Sequence, residues 1–228
     1  LKARESCQLV LKQFQLNGGR FVQASVMNVA NSRNIHELTL STGEKIKGDL
    51  FIFACGSWLG QLFPDVLGNV ITCTRQEVFY FGSPTRHAQA FDTLPVWIDV
   101  DGHDFFYGIA GNAQRGFKIG VDKRGAPFDP TNGDHTLNEQ VLKQARNFIS
   151  HRFPALGGAP LLESRVCPYE NSPDGNFLIE LHPHIENVLF LGGGSGHGFK
   201  HAPALGELVA QALHGTAHIP ALFRRTLH

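Results

Sequence analysis

The beginning of the chain places apolar side chains at the spacing of a helix. Cys7, Val10 and Phe14 recur at intervals of three and four residues, which brings them to one face of a helix. Asn17 and the two glycines that follow it are typical of a helix C-terminus. The pattern therefore predicts an amphipathic helix over residues 3–16.

The next segments have the patterns of strands. Residues 20–30 predict one strand, and apolar and polar residues alternate over 36–49 on both sides of a Thr-Gly pair, which predicts a hairpin. Residues 50–55 are apolar without alternation, which is typical of a strand that is buried on both faces. A glycine ends this strand, and residues 57–63 predict a short helix.

The segment 71–121 has a different pattern. Its strand-like stretches are rich in aromatic residues and are separated by Gly and Pro, which predicts a mostly antiparallel sheet. A helix over 136–152 is expected to cover this sheet, because Thr136 and Glu139 have the spacing of a capping box. Four apolar residues form the predicted stripe of this helix: Leu137, Val141, Ala145 and Phe148.

The last part of the chain combines an apolar strand over 187–191, a glycine-rich turn and a helix that ends before Gly215. Strand and helix units at both ends thus enclose the antiparallel segment. This order predicts a mixed α/β (α+β) fold in two domains. We expect residues 1–70 and 165–228 in the first domain and residues 71–164 in the second.

Charge and composition exclude several classes of function. Twenty Lys and Arg balance twenty Asp and Glu, so neither nucleic acid nor an anionic membrane surface is expected as the main partner. No apolar run approaches the roughly 18–20 residues of a membrane-spanning helix. The four cysteines lack CxxC spacing, which is typical of thiols in a reducing, cytoplasmic compartment. The twelve histidines form no HExxH motif, so no metal site is predicted.

The glycine-rich turn is the strongest chemical signal in the sequence. A buried strand that runs into residues 192–196 and then into a helix lets a ligand approach bare backbone. The N–H groups of a helix N-terminus favour an anion. The spacing is neither that of a P-loop nor GxGxxG, so a turn that serves packing alone is the alternative.

Three further side chains have two interpretations each. Lys118 lies between two apolar residues of a strand, so it belongs either to a solvated face or to the wall of a cavity. Lys200 is either a solvated lysine or a group that binds a carboxylate. Cys167 precedes a Pro-Tyr pair and a turn, and it is either a small packing residue or a reactive thiol.

Taken together, four stretches resemble the flavin-dependent amine oxidases of the monomeric sarcosine oxidase family, within the D-amino-acid oxidase superfamily. The stretches are RVCPYENSPDGNFLIELHP at 165–183, GGGSGHGFK at 192–200, GFKIG at 116–120 and GDLFIFACGSW at 48–58. The resemblance extends from the first helix to about Gly215. It implies a partial FAD-binding domain in the first domain and a substrate-binding sheet in the second.

The resemblance also implies roles for individual residues. Cys167 matches the cysteine that attaches FAD covalently, and Lys118 matches a lysine that assists the reaction of reduced flavin with oxygen. Lys200 matches a lysine that pairs with the substrate carboxylate, and Tyr169 matches an aromatic residue of the substrate pocket. The turn implied to lie against the N1–C2=O edge of the flavin comprises Gly193, Gly194, Ser195, Gly196, His197, Gly198 and Phe199.

The implied activity is oxidation of the CH–NH bond of an amino acid or other amine, with oxygen as acceptor and hydrogen peroxide as product. Two departures leave alternatives open. Asp122 stands where the sarcosine-type pattern has a histidine, and the chain has no strand–GxGxxG–helix unit, which in the family holds the FAD pyrophosphate. The chain is therefore expected to be the C-terminal portion of such an oxidase. The alternatives are a flavin dehydrogenase with another acceptor and a non-catalytic fragment without bound FAD.

Overall fold

The computed structural model describes residues 1–29, 32–100, 105–111 and 115–225. The chain divides into two compact units. The first comprises Leu1–Thr72 and Glu170–His228, and the second comprises Cys73–Tyr169. The mixed helix and strand composition predicted from the sequence is confirmed. The predicted boundary at 164/165 differs by five residues from the division at 169/170, so Cys167 and Tyr169 belong to the second unit.

Helices and strands occur in both units of the chain. The helices are α1 (Ala3–Leu16), α2 (Leu59–Leu62), α3 (Pro64–Leu67), α4 (Ala88–Thr93), α5 (Glu139–Arg152) and α6 (Ala202–Leu213). The strands are β1 (Val26–Asn28), β2 (Glu37–Leu40), β3 (Lys45–Lys47), β4 (Phe51–Phe53), β5 (Thr72–Phe81), β6 (Trp97–Asp99), β7 (Phe106–Ile109), β8 (Phe117–Val121), β9 (Leu161–Asn171), β10 (Leu178–Leu181) and β11 (Val188–Gly192).

The first unit contains two three-stranded sheets. The sheet β1-β2-β3 includes the predicted hairpin, in which Leu38 pairs with Ile46. In the sheet β10-β11-β4, β11 runs parallel to β4 and antiparallel to β10. The core of this unit contains buried aromatic and aliphatic side chains, among them Phe51, Phe53, Leu59, Phe63, Leu67, Val188 and Phe190.

One prediction for the first unit is wrong, and another is confirmed in its bounds. Residues 50–55 do not form a strand buried on both faces, because Phe51 and Phe53 are buried while Ile52 is 44% exposed. β4 therefore packs through one face, on which Phe51 and Phe53 join the core of the first unit. The helix α1 has the predicted bounds, but none of its residues is buried, and Phe14 is 50% exposed.

The second unit is built on the predicted antiparallel sheet. Its five strands have the order β6-β7-β8-β5-β9, and β7 and β5 both pair antiparallel to β8. The core on one face of this sheet contains Phe79, Phe81, Phe106, Phe117, Ile119, Leu142, Ala145 and Ile149. Phe106 and Phe148 stack with ring centroids 4.0 Å apart, which joins the sheet to α5.

The start of α5 differs from the predicted capping box. Asn138 is the N-cap, and its side-chain oxygen accepts the N–H groups of Gln140 and Val141. Thr136 instead donates its hydroxyl to Asp134. The buried stripe is accordingly Leu142, Ala145 and Ile149, whereas Val141 and Phe148 are partly buried at its border.

The described α-helices have between 4 and 14 residues. None of them, within the residues that the structure describes, combines the length and the apolar character needed to cross a bilayer.

Two phenylalanines of the first unit test this packing. Phe190 is fully buried, 4.7 Å from the Phe63 ring centroid, so Phe190→Ala should cost about 3–5 kcal/mol of unfolding free energy. Phe14→Ala, the matched control on the exposed helix, should cost less than about 1 kcal/mol. Urea unfolding followed by circular dichroism measures both, and equal losses would contradict the assignment of the core.

Candidate functional site

The glycine turn, residues 192–198, begins where β11 ends. Its backbone has positive φ at Gly193 (72°), Ser195 (44°) and Gly196 (83°). Among the described residues, Ser195 is the one non-glycine residue in this region of φ. A side chain there costs of order 1–3 kcal/mol, so the surrounding structure must hold the turn in place.

The end of β9 provides the contacts that hold Ser195. The Ser195 N–H donates to the main-chain oxygen of Glu170 at 2.7 Å, and the Ser172 N–H donates to the Ser195 hydroxyl at 3.3 Å. The Ser195 hydroxyl itself donates to the Gly193 carbonyl at 3.2 Å. The turn is thereby fixed to the strand that carries Cys167 and Tyr169.

Close approaches require glycine at two positions of the turn, and a third position has open space where a side chain would be. A Cβ at Gly193 would lie 2.6 Å from the Asn176 carbonyl oxygen, and a Cβ at Gly192 would lie 2.4 Å from Glu170 Oε1. A Cβ at Gly194 would meet no atom closer than the Gly198 Cα at 3.6 Å. Gly194 and Gly198 therefore leave adjacent bare backbone that a planar ring can approach, which fits a flavin.

Glu170 is a residue of this site that the sequence analysis missed. Its Oε2 accepts the Gly194 N–H at 3.2 Å, whereas its Oε1 is buried and has no hydrogen-bond partner among the described residues. Burial raises the pKa of the Glu170 carboxyl, and the N–H groups of Gly194 and Gly193 oppose that rise. No sequence signal marks it, because its burial depends on residues distant along the chain.

The segment after the turn differs from the predicted helix start. A 3₁₀ turn at Gly198–His201 precedes α6, so Lys200 lies before the first turn of the α-helix. Lys200 and His197 are exposed, and Phe199 is 41% exposed. The role of Lys200 in binding a carboxylate stays a prediction.

In the second unit, Lys118 lies on the face of the sheet opposite the aromatic core. Its neighbours Phe117 and Ile119 are fully buried in that core, so alternation turns Lys118 to the other face. Tyr80 on β5 and Ile109 on β7 are its cross-strand partners. The lysine is half-buried, so its ammonium group does not lie on a fully solvated surface.

Tyr107 is a second residue that the sequence analysis missed. The Lys118 Nζ lies 5.4 Å from the centroid of the Tyr107 ring, and the hydroxyl groups of Tyr107 and Tyr169 are hydrogen-bonded. The ring covers Gly120, where a Cβ would lie 2.7 Å from the Tyr107 hydroxyl oxygen. Alternation could have found it, because Phe106 belongs to the core and its neighbour must face the other side.

Cys167 joins the same group, which we call the sheet-face site: Tyr107, Lys118, Cys167 and Tyr169. Burial raises the pKa of the Cys167 thiol, and the positive charges of Lys118 and Arg165 oppose that rise. Burial also lowers the pKa of Lys118, which the negative charge of Cys167 counteracts. The cysteine is a free thiol and is half-buried, as is Tyr169.

An ion network lies beside the sheet-face site. Arg115 donates to both oxygens of Glu163, at 3.1 and 3.0 Å, and Arg165 donates to the same carboxylate. The Arg115 guanidinium lies 4.3 Å from the centroid of the Tyr80 ring. Two cations against one anion leave a positive potential, and both arginines help to lower the pKa of Lys118.

Asp122, which replaces the histidine of the sarcosine-type pattern, is exposed at the end of β8. Its negative charge contributes to raising the pKa of Tyr107 and of Tyr169, although burial is the larger cause for both. No group of three His, Cys, Asp or Glu is placed to hold a metal ion within the described ranges of the chain.

Comparisons with known proteins give the family and the fold of this chain. A model of the FAD dependent oxidoreductase family matches residues 1–212. Monomeric sarcosine oxidase of Streptomyces avermitilis is 33% identical over 176 residues, covering 74% of this chain and 45% of the relative. N-methyl-L-tryptophan oxidase of Salmonella arizonae is 29% identical over 201 residues, covering 82% and 50%. The chain spans about half the length of the curated relatives it matches.

A solved structure shares the fold. The fructosyl amine:oxygen oxidoreductase (Amadoriase I) of Aspergillus fumigatus aligns with a TM-score of 0.78, covering 92% of this chain and 51% of that one. Its sequence identity is 22%, so this likeness shows the fold alone.

The conformation of the glycine turn gives a stability prediction. Gly193→Ala combines a positive φ with a Cβ 2.6 Å from the Asn176 carbonyl, so it should cost about 2–4 kcal/mol of unfolding free energy. Gly175→Ala has a similar φ of 78° but open space around the new Cβ, and it should cost about 1 kcal/mol. Urea unfolding of both variants checks this, and a smaller loss for Gly193→Ala would be inconsistent with the close approach.

Proposed function

The chain belongs to the family of FAD-dependent oxidoreductases, and on that premise we propose that it forms part of the active site of an oxidase that acts on the CH–NH bond of an amino acid or other amine. The observation that carries the proposal is the sheet-face site, in which a half-buried lysine, a thiol and two hydrogen-bonded tyrosines face the same side of one sheet. The relatives that match most of the chain act, by their names, on sarcosine and on N-methyl-L-tryptophan.

We assign FAD to two groups of residues. The glycine turn offers bare backbone at Gly194 and Gly198 for the flavin ring, and Cys167 offers a thiol for covalent attachment. Because the chain spans about half the length of its curated relatives, the pyrophosphate of FAD is assigned to residues outside this chain. Bound FAD supplies the acceptor for a hydride from the carbon next to the amine nitrogen.

This proposal assigns three further tasks, two of them to residues of the sheet-face site and one to Lys200. Lys118 provides a fixed cation that stabilises the negative charge developing on oxygen, and its partial burial strengthens that interaction. The pair Tyr107 and Tyr169 forms an apolar wall with hydroxyl groups that orient the substrate. Lys200 pairs with the substrate carboxylate.

Oxygen is the proposed acceptor, and hydrogen peroxide is the proposed product. A dehydrogenase that passes electrons to another acceptor is the alternative within the same chemistry. Peroxide formed in step with the substrate consumed distinguishes the two, because a dehydrogenase gives peroxide only in a small fraction of turnovers.

A second candidate concerns the chain of 228 residues by itself. Because it spans about half the length of its relatives, we propose that in isolation it retains no flavin and is not catalytic. The absorbance spectrum of the purified chain tests this, since a flavin band would contradict it.

Covalent attachment gives the next prediction. In a version joined to a dinucleotide-binding unit, we expect the intact mass to include one FAD, and Cys167→Ala should remove that mass completely. Cys73→Ala is the matched control, because Cys73 is another half-buried cysteine of the second unit that is in no disulfide. A joined protein without the added mass, or an adduct that persists in Cys167→Ala, would refute the assignment.

The cation assigned to oxygen chemistry gives a kinetic prediction. Lys118→Met should slow reoxidation of the reduced flavin by about 100-fold or more, because a preorganised charge is lost, while reduction by substrate changes far less. Lys123→Met, an exposed lysine just beyond β8, should leave both half-reactions near their original rates. Stopped-flow absorbance separates the half-reactions, and equal slowing of both in Lys118→Met would count against the role.

A further inference from the structure

Glu170 is a half-buried residue whose carboxyl group none of the roles above uses. Its main-chain oxygen accepts the Ser195 N–H at 2.7 Å, and its Oε2 accepts the Gly194 N–H at 3.2 Å. Its Oε1 is buried and accepts no hydrogen bond from the described residues. Glu170 therefore holds the glycine turn at two points, yet one oxygen of its carboxyl group lacks a donor, which requires an explanation.

The surroundings of Oε1 favour a neutral carboxyl group. A Cβ at Gly192 would lie 2.4 Å from Oε1 and 2.6 Å from Leu59 Cδ2, so the glycine of β11 and the fully buried leucine of α2 enclose this oxygen. The titratable group that faces it from the segment before α2 is Cys55, whose pKa is raised by burial and then by Glu170.

No cation acts on this carboxyl group within the described part of the chain. An ionised Glu170 would therefore be a negative charge, partly removed from water, whose only compensation is the N–H groups of the turn. A proton on Oε1 removes that charge, while Oε2 continues to accept the Gly194 N–H.

We propose that Glu170 is a positioning residue of the flavin site, which carries a proton on Oε1 and couples that proton to the charge of a flavin at the glycine turn. The inference rests on the proposed function. Transfer of a hydride to the flavin brings two electrons and one proton and leaves one negative charge at the N1–C2=O edge. A nearby negative charge favours the neutral carboxyl, so at a pH at which Glu170 is ionised beside oxidised flavin, reduction makes it take up one proton from solvent.

The buried proton is tested first in the chain as it stands. A carboxyl with a raised pKa stabilises the fold below its unfolded value of 4.5, and this stabilisation is lost as the pH rises through the folded pKa. Glu170→Gln keeps an acceptor for the Gly194 N–H but cannot ionise. Relative to the original protein, it should therefore gain in urea midpoint between pH 4 and pH 8.

Glu163→Gln is the matched control, since it makes the same substitution on the same strand. Its hydrogen bond with Arg115 lowers the pKa of Glu163, so its stabilisation is present above 4.5 and is lost as the pH falls. Relative to the original protein, this variant should have the lower urea midpoint above pH 4.5, with no further divergence toward pH 8. A difference between Glu170→Gln and the original protein that stays constant over this pH range would overturn the buried proton.

A second variant keeps the experiment decisive if Glu170→Gln does not fold. Gly192→Ala crowds Oε1 without removing the carboxyl, so it should push the group toward solvent and weaken the pH dependence of stability. An unchanged pH dependence in Gly192→Ala would also contradict the proposal.

The coupling is tested by the midpoint potential of FAD in a version joined to a dinucleotide-binding unit. Between the pH at which Glu170 ionises beside oxidised flavin and the higher pH at which it ionises beside reduced flavin, the potential should fall more steeply with pH, by one additional proton per two electrons. Glu170→Gln should lack this additional slope, and Glu163→Gln should retain it. Equal slopes in Glu170→Gln and the original protein would overturn the coupling. Failure of the joined version to bind FAD would instead refute the proposed function, while the urea experiment still decides the proton.

Discussion

The contact between the end of β9 and the glycine turn is the constraint on which the candidate site depends. A serine in the left-handed region of φ is unfavourable, and Ser195 is kept there by hydrogen bonds to Glu170 and Ser172. The same strand carries Cys167 and Tyr169 a few residues earlier. The same strand therefore fixes the shape of the turn and carries the thiol to which we assign FAD.

The sheet of the second unit separates stability from chemistry by its two faces. Phe117 and Ile119 pack into the aromatic core, and Lys118 between them faces the other side. Apolar burial on the core face compensates for the cost of holding a half-buried lysine, whose pKa is lowered by burial. Alternation along β8 is thus the physical reason that a half-buried cation can be held on a strand whose other face packs into the core.

Patterns with local causes were predicted well from the sequence. The bounds of α1 follow from its spacing and its Asn-Gly end, and the antiparallel sheet follows from aromatic alternation. Where a feature depends on distant parts of the chain, it was missed or the prediction for it was wrong. The exposure of Ile52 depends on what packs on that face of β4, which no pattern within residues 50–55 reveals. The burial of Glu170 depends on Gly192 and Leu59, which no pattern near residue 170 reveals. The roles of Cys167, Lys118 and Lys200 are implied by the resemblance to a known family, and they stay predictions.

The proposal that matters most is that Cys167 of the sheet-face site attaches one flavin covalently. The most direct measurement is the absorbance of the pellet and the supernatant after acid precipitation of the chain joined to a dinucleotide-binding unit. The flavin absorbance should remain with the precipitated protein, and the supernatant should be colourless. Flavin released into the supernatant would contradict covalent attachment, and a protein that is colourless before precipitation would contradict the flavin site itself.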